Sequence, residues 1–154
     1  MRWDMFRGMF EHTIDDKGRV SVPVRFRELL QATNDNRVVI TNFMIDSVRC
    51  LDVYPHAAWA QLEERLLAQP QFNQRILRFQ NYYFASAHDC ELDKQGRILL
   101  PPSLREHAGL KKDVVFTSAL EKFRIWDRDQ WKQVFGQAEQ AIMAHPEDLN
   151  ELGI

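Results

Sequence analysis

Phe10, His12 and Ile14 stand at every second position before Gly18, and Val20 and Val22 resume the alternation beyond it. Such a pattern predicts two strands joined by a tight turn. Strand side chains alternate between faces, and glycine takes up the positive φ that other residues resist. The arrangement returns around Gly96, with Cys90 and Leu92 before it and Ile98 and Leu100 after. Arg19 and Arg97 each follow the glycine and are predicted to point away from the face that buries the aliphatic residues.

Each predicted hairpin runs into proline, at Pro23 and at Pro101-Pro102, and then into a short helical pattern. Pro23 or Pro102 suits the first helical position, where a missing N–H costs nothing. Phe26, Leu29 and Leu30 recur at helical spacing, and Gly109 reads as the C-terminal stop of the second such helix. Paired apolar runs follow: Val38-Val39-Ile40 with Val48 to Tyr54, then Val114-Val115-Phe116 with Phe123 to Trp126. Each half therefore reads hairpin, short helix, hairpin.

Tyr54-Pro55 with Trp59 and Trp126-Asp127 with Trp131 then open one helix apiece. Trp59, Leu62, Leu66 and Leu67 form the apolar stripe of the first; Trp131, Val134 and Phe135 begin that of the second. Between the halves, Phe72, Ile76, Phe79 and Tyr83 predict a connecting helix with Arg75 and Arg78 on a solvated side. From Gly136 the helix continues to Pro146, and the acidic end beyond it is expected to be mobile.

The two halves are copies. At an offset of 78 residues Asp15, Gly18, Arg19, Pro23, Arg27 and Glu28 meet Asp93, Gly96, Arg97, Pro101, Arg105 and Glu106. The aromatic pairs align at 72, so the first half carries six extra residues, expected around Thr33 to Asn36 or near Asp46. The predicted organisation is a first repeat over 9–57, a helical connector over 58–85, a second repeat over 86–129, and a C-terminal helix with acidic tail over 130–154. With 154 residues, 45% hydrophobic and 27% charged, the chain suits two small halves sharing one core.

No apolar run approaches the roughly 20 residues of a membrane helix. Met1 to Asp4 show no signal-peptide pattern, which predicts a cytosolic protein with reduced Cys50 and Cys90. These thiols are expected to be buried rather than to bind metal with His12 or His88, since no Cys-x-x-Cys or His-x-x-x-His spacing is present. The net charge of −2 hides a gradient: four basic residues face three acidic ones over 15–28, whereas residues 137–154 hold four acids and no lysine or arginine. Basic groups gathered on one face and presented in several copies still suit nucleic acid.

The doubled turn resembles the MraZ family of bacterial transcriptional regulators, within the AbrB-like group of swapped-hairpin barrel DNA-binding proteins. The resemblance is carried by Met5-Phe6-Arg7-Gly8, Asp15-Asp16-Lys17-Gly18-Arg19 with Pro23, and Tyr54-Pro55 with Trp59. Asp93 to Arg97 with Leu100-Pro101-Pro102, His107-Ala108-Gly109-Leu110, and Trp126-Asp127 with Trp131 complete it, over residues 5–135. It implies an α+β fold, mainly β with peripheral helices, in which two tandem AbrB-like half-barrels form one swapped-hairpin β-barrel. It also implies ring-shaped homo-oligomers that bind double-stranded DNA at short tandem promoter repeats of their own operon, in the cell-division and cell-wall gene cluster. Met1 to Asp4 precede the usual family start, so Met5 is an alternative initiator.

The DNA-binding candidates are Lys17, Gly18, Arg19, Lys94, Gly96 and Arg97. An arginine at a turn presents a planar fork to guanine or a charge to phosphate, whereas a lysine chiefly meets phosphate. Asp15 and Asp93 would repel phosphate if they faced outward; their expected role is to hold the turns and orient the arginines. Gln95 stands where the first copy has Lys17, so the turns are not expected to contribute equally. Arg25, Arg27 and Arg105 are expected to be solvated or interfacial. No nucleophile elbow, P-loop, dinucleotide fingerprint or zinc signature is present, so no enzyme activity, cofactor, metal, membrane or small-molecule substrate is expected. The alternative is an antitoxin-like interaction module whose acidic tail binds a basic protein partner. The expected location is the cytoplasm, on the nucleoid.

Overall fold

Gly18 and Gly96 form tight turns at positive φ, +86° and +76°, yet the strands flanking each turn do not pair with one another. In the computed structural model, which describes residues 5–154, β1 (Met9–Thr13) leads into the first turn and β2 (Arg19–Ser21) leaves it. Their second-half counterparts are β5 (His88–Glu91) and β6 (Arg97–Leu99). β1 pairs with β7 (Asp113–Ala119) of the second half and β5 with β3 (Arg37–Ile45) of the first, while β2 and β6 pair with each other. Each expected hairpin is thus a turn whose arms go to the other half. Alternation fixes which face a strand buries but not which neighbour it meets.

With β4 (Val48–Pro55) and β8 (Lys122–Asp127), the result is a six-stranded sheet, β1-β7-β8-β4-β3-β5, and a separate β2–β6 ribbon. Equivalent bonds tie the halves together: Ile14 N–H donates to the Lys112 carbonyl at 2.8 Å and Leu92 N–H to that of Asn36 at 3.0 Å. The shared core repeats the duplication in matched pairs, Val20 with Ile98, Val22 with Leu100, Phe26 with Leu104, all buried. The fold is α+β, with a mainly antiparallel sheet.

Helices α1 (Val24–Ala32) and α4 (Pro102–His107) follow the ribbon strands. Pro102 takes the first position of α4, but Pro23 sits one residue ahead of α1. The six extra residues lie in two places. β3 and β4 have nine and eight residues against seven and six in β7 and β8. The remaining two come from α1, which has nine residues against six in α4 while the connection to the next strand has four against five.

Helices cover the outer face of the sheet, which is why Val38-Val39-Ile40 is apolar without a break. Val38 and Ile40 enter the shared core and Val39 packs outward with Tyr54, Trp59 and Tyr83. The duplication extends to this layer. Tyr54 meets Trp59 of α2 (His56–Leu67) at 5.1 Å between ring centroids, and Trp126 meets Trp131 of α5 (Arg128–Ala144) at 5.6 Å. The expected stripes are shorter than predicted, because Leu67 is 75% and Phe135 46% exposed.

The connector is α3 (Gln74–Phe79) continued by a π-helical turn (Gln80–Phe84), and Phe72 lies outside it, 96% exposed. Arg75 and Arg78 are exposed. Tyr83 fastens the connector to the sheet. Its hydroxyl donates to the buried Asp52 carboxylate, which also accepts from Arg124 Nε at 2.7 Å, and its carbonyl accepts from the Thr41 hydroxyl. Burial and then the Asp52 charge push the Tyr83 phenol far up, so it remains a donor. The C-terminal segment ends in a further helix, α6 (Glu147–Glu151). Cys50 is buried and Cys90 half-buried, both unbridged, and burial pushes the Cys90 thiol up to about 11. Among the described residues no helix is long and apolar enough to cross a membrane, and the expectations for Met1 to Asp4 lie outside them.

Candidate nucleic-acid interface

Both turns are built from the same five hydrogen bonds. In the first, Asp15 Oδ1 accepts the backbone N–H groups of Lys17 and Arg19, each at 2.9 Å, and Oδ2 accepts Arg19 Nε at 2.8 Å. Backbone bonds from Gly18 N–H to the Asp15 carbonyl and from Asp15 N–H to the Arg19 carbonyl close the loop at 3.0 and 2.9 Å. In the second, Asp93 accepts from Gln95 N–H, Arg97 N–H and Arg97 Nε, all at 2.9 Å, with the two backbone closures repeated. An aspartate four residues before the arginine thus satisfies the turn amides and fixes the guanidinium through Nε alone. The outer Nη groups of Arg19 and Arg97 have no hydrogen-bond partner among the described residues. The Arg19 backbone N–H, ahead of its side chain, holds the Asp15 carboxyl below its ordinary 3.8, and Arg97 does the same for Asp93.

The ribbon sets both arginines on one surface. Arg19 pairs with Leu99, Val20 with Ile98 and Ser21 with Arg97, so Arg19, Ser21, Arg97 and Leu99 face outward together while Val20 and Ile98 enter the core. Arg19 and Arg97 stand about two residues apart along the ribbon, ~7 Å. Lys17 and Lys94 are exposed at its opposite ends. Leu99 is 60% exposed between the charges, a surface residue that alternation placed in a strand without showing what it neighbours.

Gly18 and Gly96 are buried, each under an arginine of the other half. A Cβ on Gly18 would lie 2.9 Å from Arg105 Cζ, and one on Gly96 only 2.2 Å from Arg27 Cδ. Of the three arginines expected to be solvated or interfacial, Arg27 and Arg105 are half-buried covers on the turns and Arg25 is exposed. No sequence spacing reveals this contact, because it depends on the exchange of halves. The alignment also sets Asp16 opposite Lys94. The first turn holds two acids and two bases and the second one acid and two bases, so the second is the more positive despite lacking Lys17.

These features define an internally duplicated, strand-exchanging α+β protein with a two-stranded ribbon that carries paired, acid-braced arginines. A family profile described as "MraZ protein, putative antitoxin-like" matches residues 5–81 and 83–151. The chain belongs to the MraZ family. It is 44% identical over 150 residues to "Transcriptional regulator MraZ" of Desulfitobacterium hafniense (strain DSM 10664 / DCB-2), covering 97% of this chain and 100% of the relative. The protein of that name from Thioalkalivibrio sulfidiphilus is 44% identical over 127 residues, 82% of this chain and 83% of its own, and that of Desulforamulus reducens 39% over 148 residues, 96% and 99%.

Proposed function

We propose that this chain is a sequence-specific DNA-binding transcription regulator rather than an enzyme, acting in the cytoplasm on the nucleoid and controlling its own operon in the cell-division and cell-wall gene cluster. The observation that carries the reading is the pair of free guanidinium edges on one face of the ribbon. A two-stranded ribbon fits the major groove, about 12 Å wide, where an arginine fork matches guanine O6 and N7. Arg19 and Arg97 are the base readers and Lys17 and Lys94 meet phosphate. Gly18 and Gly96 contribute through turn shape. The strand exchange supports reading the fold as a swapped-hairpin barrel of AbrB-like repeats over 9–57 and 86–129, with 58–85 as connector and 130–154 as C-terminal extension.

One ribbon brings few cations to the duplex. A ring of copies on tandem promoter repeats multiplies them through effective concentration, so oligomerisation belongs to the mechanism. The experiment is retardation of DNA from upstream of the gene: wild-type protein shifts it, and folded Arg19→Ala and Arg97→Ala variants lose at least tenfold in affinity, ~1.4 kcal/mol each. Undiminished binding by both variants overturns the reading. Capture of a stoichiometric basic protein by the acidic tail, without DNA retardation, would instead favour the antitoxin-like interaction module.

A further inference from the structure

We infer that Arg105 and Arg27 are positioning residues that act across the duplication, each clamping the basic turn of the other half into its DNA-reading shape. The inference rests on the DNA-binding reading above. Arg105 reaches from α4 over Gly18 and donates through Nε to the Leu100 carbonyl at 3.2 Å, while Leu100 N–H holds the Gly18 carbonyl at 2.9 Å. Guanidinium, ribbon strand and turn are thereby locked together. Arg27 reaches from α1 over Gly96 and donates through Nη1 to the Gln95 carbonyl at 3.3 Å, while Val22 N–H holds the Gly96 carbonyl at 3.0 Å.

Positive φ is what makes glycine the fitting residue at both turns, and a Cβ there would in addition displace the covering arginine side chain. The clamps are not equal. Arg27 donates straight into the turn it covers, at Gln95, with its Nε buried and without a partner, whereas Arg105 bonds Leu100 of its own half and reaches the first turn by lying over Gly18 and through the Leu100 N–H. A solvated phosphate-binding arginine would have no reason to lie over a glycine of the opposite half. This pattern of contact is that of a support.

Amide hydrogen exchange and DNA affinity, measured on the full chain, test the clamp. Arg105→Ala is expected to speed exchange at Gly18 and Arg19 about tenfold and leave Gly96 and Arg97 unchanged, and Arg27→Ala the reverse. On DNA, Arg105→Ala combined with Arg19→Ala loses less than the product of the single effects, whereas Arg105→Ala combined with Arg97→Ala multiplies. Arg105→Lys keeps the charge but not the planar cover, and is expected to behave as Arg105→Ala does. Equal acceleration at both turns, or full retention of turn protection and affinity by Arg105→Lys, overturns the inference. If the wild-type chain retards no DNA the functional reading fails, and the exchange pattern alone still upholds or overturns the clamp.

Discussion

At the scale of single residues, the two turns are determined by an aspartate, a glycine and an arginine acting on one another. Asp15 and Asp93 are held below 3.8 chiefly by backbone N–H donors, so their contribution to the turns is complete above that value and lost as pH falls through the lowered one. Carboxyl NMR titration is expected to give midpoints below 3.8 for both, and Arg19→Ala to raise that of Asp15 while leaving Asp93 in place. Gly18→Ala forces a side chain into the left-handed region and against Arg105, a loss of at least ~1–2 kcal/mol in urea unfolding. Under the proposed DNA-binding reading, the exposed Leu99 offers the duplex an apolar side chain suited to the thymine methyl group. Leu99→Ser, which copies its counterpart Ser21, is expected to leave the melting temperature unchanged and reduce discrimination between operator and unrelated DNA.

At the scale of elements, alternation around the glycines was enough to read β1, β2, β5 and β6 as strands, and proline with helical spacing was enough for α1 and α4. Pairing was not legible in the alternation, and only the family resemblance implied a swap. Val20 and Ile98 display the same pattern whether they close a local hairpin or meet across the halves, and only the bonds of the folded chain decide it. The candidate site was legible in part for the same reason. Asp15, Arg19, Asp93 and Arg97 lie close in sequence and their relation repeats, whereas Arg27 over Gly96 and Arg105 over Gly18 are products of the exchange. Asp52 was also silent in sequence, since nothing near it signals the Tyr83 and Arg124 donors on distant elements. Asp52→Ala removes the acceptor of both, and a loss of ~3 kcal/mol is expected in chemical denaturation.

At the scale of the whole molecule, the duplication was legible because a shared core imposes equivalent burial on equivalent positions. The core is nonetheless asymmetric in detail. Phe26 and Phe123 contact each other at 4.9 Å between centroids, while their counterparts Leu104 and Leu51 are smaller, so each half completes the packing of the other. Such halves do not form independent domains. Phe26→Ala is expected to lower stability by ~3–5 kcal/mol in a single unfolding transition followed by fluorescence and by circular dichroism, rather than to melt one half first.

The central claim is that the outward face of the ribbon is the surface that meets DNA. The most direct test is backbone NMR of the full chain titrated with a duplex from its own promoter region. The largest shifts are expected over Lys17 to Ser21 and Lys94 to Leu99. Shifts confined to Arg75 and Arg78 on α3, or to the acidic C-terminal segment, would contradict it.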